Sequence, residues 1–303
     1  MHATVIEIGA AGARLATSAG LGLEPGLVLS FTVTLPFTGA HEVAATVERM
    51  VAAPRGINVV DVRWAPPPRA FLLAIAVYLL LTDRALTPVR LRAAGLPVRP
   101  VERALTYGRA ELDELGAIHD LRLRAHQHEG RLDGLRAADL ASPFDAYSCH
   151  LVCRHGTRIV GYARLIEVDG DPARSQYVAW GGHEVPPWMW RAGFVEGGAG
   201  AVDPDFQRAG LFLPLLQHLV RVAVESGHRY VLGGCEDDLL EMYVECGYQL
   251  LETRQVEPRP GWSFRSHLIH LDIDALVAGK LAGRDVEAMA EAARFALRRL
   301  AAA

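Results

Sequence analysis

The chain reads as two domains: a small all-β domain, then an α/β (α+β) domain with a mixed central sheet flanked by helices. Three observations predict this. Residues 1 to about 64 alternate apolar and polar side chains between glycines and prolines, the period-two pattern of strands. Ala65-Pro66-Pro67-Pro68 then interrupts the chain, because consecutive prolines stiffen it and forbid helix. Beyond about residue 102, helical periodicity and short branched apolar runs succeed one another, the pattern of helices packed on a sheet.

In the first domain Leu27, Leu29, Phe31, Val33 and Leu35 share one face of a strand over Val28–Leu35. Glu42–Glu48 alternates through Val43, Ala45 and Val47, and Ile57–Val62 supplies another strand, so a small barrel or curled sheet is expected. The apolar run 70–81 is too short to cross a membrane: as a helix it spans ~18 Å against a ~30 Å hydrocarbon core. It reads as a buried helix, with at most a peripheral membrane contact. Pro88, Pro97 and Pro100 mark a connector. The expected domains are 1–66, a helical linker 67–101, a second domain 102–275 and a C-terminal helix 276–303.

Half of the 303 residues are hydrophobic and 22% are charged, a globular composition with enough apolar mass for two cores. A net charge of −4 without a basic, aromatic-laced stripe excludes nucleic acid as an expected partner. Lys280 is the only lysine, so positive charge is almost all arginine. Cys149 and Cys153 share a strand face and read as core, and with His150 and His155 they match no common zinc spacing, so no metal is expected. No signal peptide is recognised, which points to a reducing cytoplasm.

In the second domain Leu112, Leu115, Ile118 and Leu121 recur at helical spacing. Tyr147–Arg154 and Arg158–Ile166 form a hairpin about Arg154-His155-Gly156-Thr157, and Phe194–Val202 is a buried strand stopped by Asp203-Pro204. Pro214 fits only a first helical turn, so the next helix starts near Leu211 and ends at Gly227. Tyr230–Gly234 is a strand, and Asp237 is expected to cap the helix carrying Tyr243. A strand to about Thr253, a loop at Pro258 and Pro260, a strand near His267–Ile273 and an amphipathic helix 285–300 complete the chain. That last helix packs on a domain or on a second copy.

Glu7-x-Gly9-x-x-Gly12 together with Gly56-Ile57-Asn58-Val59 resembles a PilZ domain. Such domains commonly bind cyclic di-GMP through an arginine pair. No arginine precedes Glu7 here and glycine stands at the serine position, so no nucleotide is expected and the domain's role is packing, dimerisation or partner contact.

Val202-Asp203-Pro204, Gln207-x-x-Gly210 and Tyr243-x-x-x-Gly247-Tyr248, in this order, resemble the acyl-donor half of the GNAT N-acyltransferases. The resemblance implies that the strand splays at Gly197 and Gly198, with Val202 at its end, to hold a pantetheine arm. It implies that Gln207, Arg208, Ala209 and Gly210 cradle a pyrophosphate and that Tyr243 protonates the leaving thiolate. Phe212 stands where the family keeps a small residue, which turns the expected donor from coenzyme A toward acyl carrier protein.

Phe144-Asp145, Ser148-Cys149-His150-Leu151 and Gly161-Tyr162-Ala163-Arg164-Leu165 are similar to the N-acyl amino acid synthases and the acyl-homoserine-lactone synthases. The implied polar set is Arg122 (or, less well spaced, Arg124), Asp145, Arg164 and Glu196, with Ala199 where those enzymes keep an arginine. Residues 177–193 are an insert whose Trp180, Trp188 and Trp190 either wall an acyl pocket or pack on the core.

Glu196 is the candidate base for an amine, through a water, and the amides about Gly197-Gly198 the candidate oxyanion donors. Arg122 and Arg164 grip an acceptor carboxylate or brace Asp145. No serine, histidine or cysteine triad is evident. The expected function is transfer of a fatty acyl group from acyl carrier protein to a small amine such as an amino acid, with no permanently bound cofactor. The alternatives are an acetyltransferase using acyl-CoA and a non-catalytic scaffold.

Overall fold

The computed structural model describes residues 3–18, 22–98, 104–131, 134–259 and 262–302. The connector positions Pro100 and Pro260 lie outside them. The chain forms two compact units, Met1–Ala104 with Asp205–Ala209, and Leu105–Pro204 with Gly210–Ala303.

In the first unit β1 (Ala3–Ile8), β2 (Gly12–Ser18), β3 (Val28–Leu35), β4 (Gly39–Ala53) and β5 (Ile57–Trp64) form one antiparallel sheet of order β1-β2-β5-β4-β3. β1 and β3 end that order, so the sheet is open, half of a barrel. The alternation seen in sequence buries Val33, Leu35, Val43, Ala45, Val47, Val60 and Val62. α1 (Arg69–Thr82) and α2 (Pro88–Ala93), which lie in the expected linker, belong to this unit, with Phe71 edge-on to Trp64 at 5.2 Å. Among the described residues no helix is long and apolar enough to cross a membrane.

The Glu7–Gly12 motif makes the β1–β2 turn. Gly9 N donates to Gly12 O at 3.0 Å, and the Trp64 indole donates to Gly9 O at 2.9 Å. Gly12 is glycine for a steric reason, since a Cβ there would lie 2.0 Å from Val62 O on the neighbouring strand. Glu7 pairs with Arg14, which also pairs with Asp61.

The second unit runs β6 (Thr106–Arg109), α3 (Leu115–His128), β7 (Ser148–His155), β8 (Arg158–Glu167), α4 (Gln176–Ala179), α5 (Pro187–Ala192) and β9 (Phe194–Val202). α6 (Phe212–Glu225), β10 (Tyr230–Cys235), α7 (Asp237–Glu245), β11 (Gln249–Arg259), β12 (Trp262–Asp272), α8 (Ile273–Val277) and α9 (Val286–Ala302) follow. The sheet order is β11-β12-β10-β9-β8-β7-β6, antiparallel except for the parallel pair β9–β10.

Strand alternation assigns the two faces. Val195, Val231 and Ile269 meet Leu216, Leu219 and Val220 of α6 and Met289 and Ala293 of α9. On the other face Phe194, Tyr230 and Leu232 meet Tyr177 and Met189, and Val152 and Tyr162 meet Ile118 and Leu121 of α3. The insert therefore fills core beneath the sheet. β11 and β12 extend well beyond the expected strands. Asp237 is the first helical residue of α7 rather than its cap, and its carboxylate is engaged by Arg265 and His267 at 2.7 and 2.6 Å.

Gly12→Ala is expected to destabilise the first unit by at least about 3 kcal/mol, whereas Gly9→Ala, with open space at its Cβ, stays within about 0.5 kcal/mol. Hydrogen exchange of peptides from β2 and β5 reads both. Equal behaviour of the two variants contradicts the steric account.

Candidate functional site

The site is built on the parting of two strands. β9 and β10 pair at Phe194–Tyr230, Val195–Val231 and Glu196–Leu232, and not beyond. β10 continues on β12 to Cys235, while β9 continues on β8 to Val202. Between Arg164–Gly198 and Tyr162–Ala201 the β8–β9 register shifts, with Ala199 in the left-handed region at φ 55°. That is a β-bulge, and an alanine held there costs about 1–2 kcal/mol. Gly197, Gly198 and Gly200, with only the methyl of Ala199 among them, leave β9 with little side-chain bulk where it departs.

Glu196 stands at the apex of this fork with no solvent exposure. Ser175 Oγ donates to its Oε1, and the Gln176 amide donates to its Oε2 at 2.8 Å. The carboxylate thus caps the first turn of α4. Burial pushes its pKa up to about 7, against the opposing pull of the Ser175, Gln176 and Tyr177 donors and of Arg164.

Arg164, also buried, donates through Nη1 to Asp145 Oδ1 and through Nη2 to Gln176 Oε1. Its Nε is buried without a hydrogen-bond partner. Asp145 Oδ2 accepts from Ser142 N at 2.8 Å and lies 3.5 Å from His119 Nε2. Asp145, Arg164, Gln176, Glu196 and Ser175 are therefore one continuous polar chain under the sheet. Arg122 donates to Leu140 O at 3.2 Å and faces the Tyr162 ring. Arg124, the less well spaced alternative, joins Arg158 on the buried carboxylate of Asp203.

Tyr243 of α7 is edge-on to Phe212 and to Tyr248, each at 5.2 Å, and burial drives its phenol well above the ordinary range. Phe212 is the first residue of α6, whose N-terminus has no side-chain cap. Of the expected donor set, Gly197, Gly198, Val202 and Gly210 lie in the second unit. Gln207, Arg208 and Ala209 cluster with the first, where Arg92 donates to Gln207 O at 3.0 Å. Arg208 and Gly210 have φ of 58° and 80°.

The tryptophans go to separate partners. Trp180 meets Phe144 at 4.7 Å, Trp188 meets Tyr230 and His270, and Trp190 meets Phe194 at 5.0 Å. Because Tyr230 and Phe194 are register partners, Trp188 and Trp190 of α5 pack against adjacent strands.

Sequence reading missed Ser175, Gln176 and Tyr177. The available signal was Ser175 itself, a helix-start residue whose Oγ accepts from Val178 N at 3.2 Å. It also missed a hydrogen-bonded row in which Ser266 Oγ lies 3.0 Å from His183 Nε2, and His183 Nδ1 lies 3.1 Å from Glu252 Oε2. Ser266 and His183 are both buried, and the row fastens the insert to the β11–β12 hairpin.

No family model and no curated protein matches this chain. Among solved structures it is similar to the ribosomal-protein-S18-alanine N-acetyltransferase of Escherichia coli, at 17% identity over 55% of this chain and 93% of that one, with a TM-score of 0.41. It is similar to FeeM, an N-acyl amino acid synthase from uncultured soil microbes, at 15% identity over 57% and 95%, TM-score 0.43. An N-acetyltransferase from Staphylococcus aureus is similar at 13% over 55% and 98%, TM-score 0.40. At these values they stand as likenesses alone, and the chemistry of this chain has to be read from its own fork.

Glu196 makes stability depend on pH. Its folded pKa, about 7, lies above the ordinary 4.5, so between those values the folded chain holds more proton than the unfolded one. Stability is expected to fall as pH rises through that window, by up to roughly 3 kcal/mol, and to change no further above it. Glu196→Gln removes this slope. Urea midpoints taken from pH 4.5 to 8 check it, and identical slopes in both chains contradict it.

Proposed function

We propose that this chain is an N-acyltransferase that moves an acyl group from a phosphopantetheine thioester to the amine of a small molecule. The observation that carries the reading is the fork between β9 and β10, with a buried carboxylate at its apex and a bulged, glycine-rich strand beside it. In the reaction the amine nitrogen bonds to the thioester carbon, the C–S bond breaks, and the amine loses a proton as the sulfur gains one. A carboxylate with a pKa of about 7 is suited to take the amine's proton at neutral pH, relayed by a water or by the Ser175 hydroxyl bonded to it. Backbone N–H groups of β9 about Gly197-Gly198 are the candidate oxyanion donors, and Tyr243 is the candidate donor to sulfur.

The finer reading is a fatty acyl group delivered by acyl carrier protein in a reducing cytoplasm. Phe212 against Tyr243 supports it, because an aromatic pair at the start of α6 suits the uncharged pantetheine better than a diphosphate. For an amino-acid acceptor the available group is the unbonded Nε of Arg164, the rest of that guanidinium being held by Asp145 and Gln176. A second reading, acyl-CoA as donor, is favoured by the uncapped N-terminus of α6, whose open amides attract anions. For the first unit we propose a PilZ-like sheet serving packing, dimerisation or partner contact without cyclic di-GMP, since Arg14 is already engaged by Glu7 and Asp61.

Acyl carrier protein thioesters and acyl-CoA, each supplied with pooled amino acids and amines, are expected to yield an N-acyl product by mass spectrometry. The rate rises with pH through about 7 as Glu196 loses its proton, and Glu196→Gln lowers it by about a hundredfold or more and abolishes that limb. No product from any donor, or turnover indifferent to Glu196, rules the proposal out.

A further inference from the structure

The fork is not empty. Tyr177 of α4 enters it from the insert side, buried, with its phenol donating to Gly197 O at 2.6 Å. Its ring is packed so close to β10 that a Cβ on Gly234 would come within 2.4 Å of Tyr177 Cε1. A Cβ on Gly198 would come within 3.3 Å of the phenol oxygen. One glycine on each diverging strand therefore makes room for this ring, and the acceptor nearest the apex is satisfied by it.

The segment carrying Tyr177 is a single helical turn between positive-φ positions, with one further short turn, Pro172–Arg174, ahead of it. Asp169 and Gly170 have φ of 51° and 73° before it, and Gly182 has φ of 60° after it. It is held down at its start by Glu196 and Arg164, through Ser175 and Gln176. An amide N–H of a pantetheine arm would donate to Gly197 O as the phenol does, so phenol and donor arm compete for the same acceptor.

We infer that Tyr177 is the gate of the donor site: the resting chain closes the fork with its own phenol, and a thioester enters only as α4 swings out between its flanking turns. The gate rests on the thioester-donor reading above. It also gives Glu196 and Arg164 a positioning role, because they latch the gate.

Two measurements on the full chain separate the gate from that reading. Without any donor, Tyr177→Ala is expected to speed hydrogen exchange at least tenfold in peptides covering 194–202 and 230–236, leaving the β7–β8 hairpin unchanged. Gly234→Ala, which expels the ring from the opposite side, is expected to do the same and serves if Tyr177→Ala folds poorly. Unchanged exchange in both variants overturns the gate. With S-acetylpantetheine and S-octanoylpantetheine in titration calorimetry, Tyr177→Ala binds at least tenfold more tightly than the natural chain. Equal binding overturns the gate alone. Binding to neither chain, with the variant's fork open to exchange, overturns the donor reading and the gate with it.

Discussion

Glu196 leaves water at the point where β9 leaves β10, and a buried carboxylate must either hold its proton or be met by donors. Here both happen in part. One turn of α4 meets it with a hydroxyl and a backbone amide, and burial still raises its pKa to about 7. That turn then carries Gln176 to Arg164, and Arg164 carries the chain on to Asp145 beneath β7 and β8. The position of α4, the filling of the fork by Tyr177 and the chemistry proposed for the site all follow from where this carboxylate is placed.

The same geometry serves two demands that pull against each other. Catalysis asks for a carboxylate with free access to an amine, whereas a closed fork asks for one committed to α4. The charged form that can accept a proton is also the form that accepts from Ser175 and Gln176, so the two demands fall on the same two oxygens. The glycines show a similar double use. Gly198 reads as part of a donor cradle, and in the folded chain it and Gly234 accommodate a side chain of the protein itself.

What was legible in the sequence was what periodicity and local chemistry determine. The alternation of β3, β4 and β5, the apolar helix α1, and α6 with Pro214 in its first turn all depend on residues within one element. β6, α4, α5 and α8 are four to six residues long, too short to establish a period. At the site, Glu196 and the Asp145–Arg164 pair could be singled out from motifs, but their partners could not. Ser175 reaches Glu196 across 21 residues of chain, and His183 reaches Ser266 across 83, through a sheet order that no local pattern encodes. Asp237 had the chemistry of a cap, yet Arg265 and His267 on β12 claimed it. Arg122 and Arg124 sat on one helix at similar spacing, and only the fold sends one to Leu140 and the other to Asp203.

The central claim is that a thioester arm lies between β9 and β10. Photo-crosslinking with an acyl-pantetheine carrying a diazirine on its acyl chain, followed by peptide mapping, tests it most directly. The account predicts adducts within 194–202 and 230–245, suppressed by excess unlabelled thioester. Adducts confined to other segments, or labelling that excess thioester leaves unchanged, would contradict it.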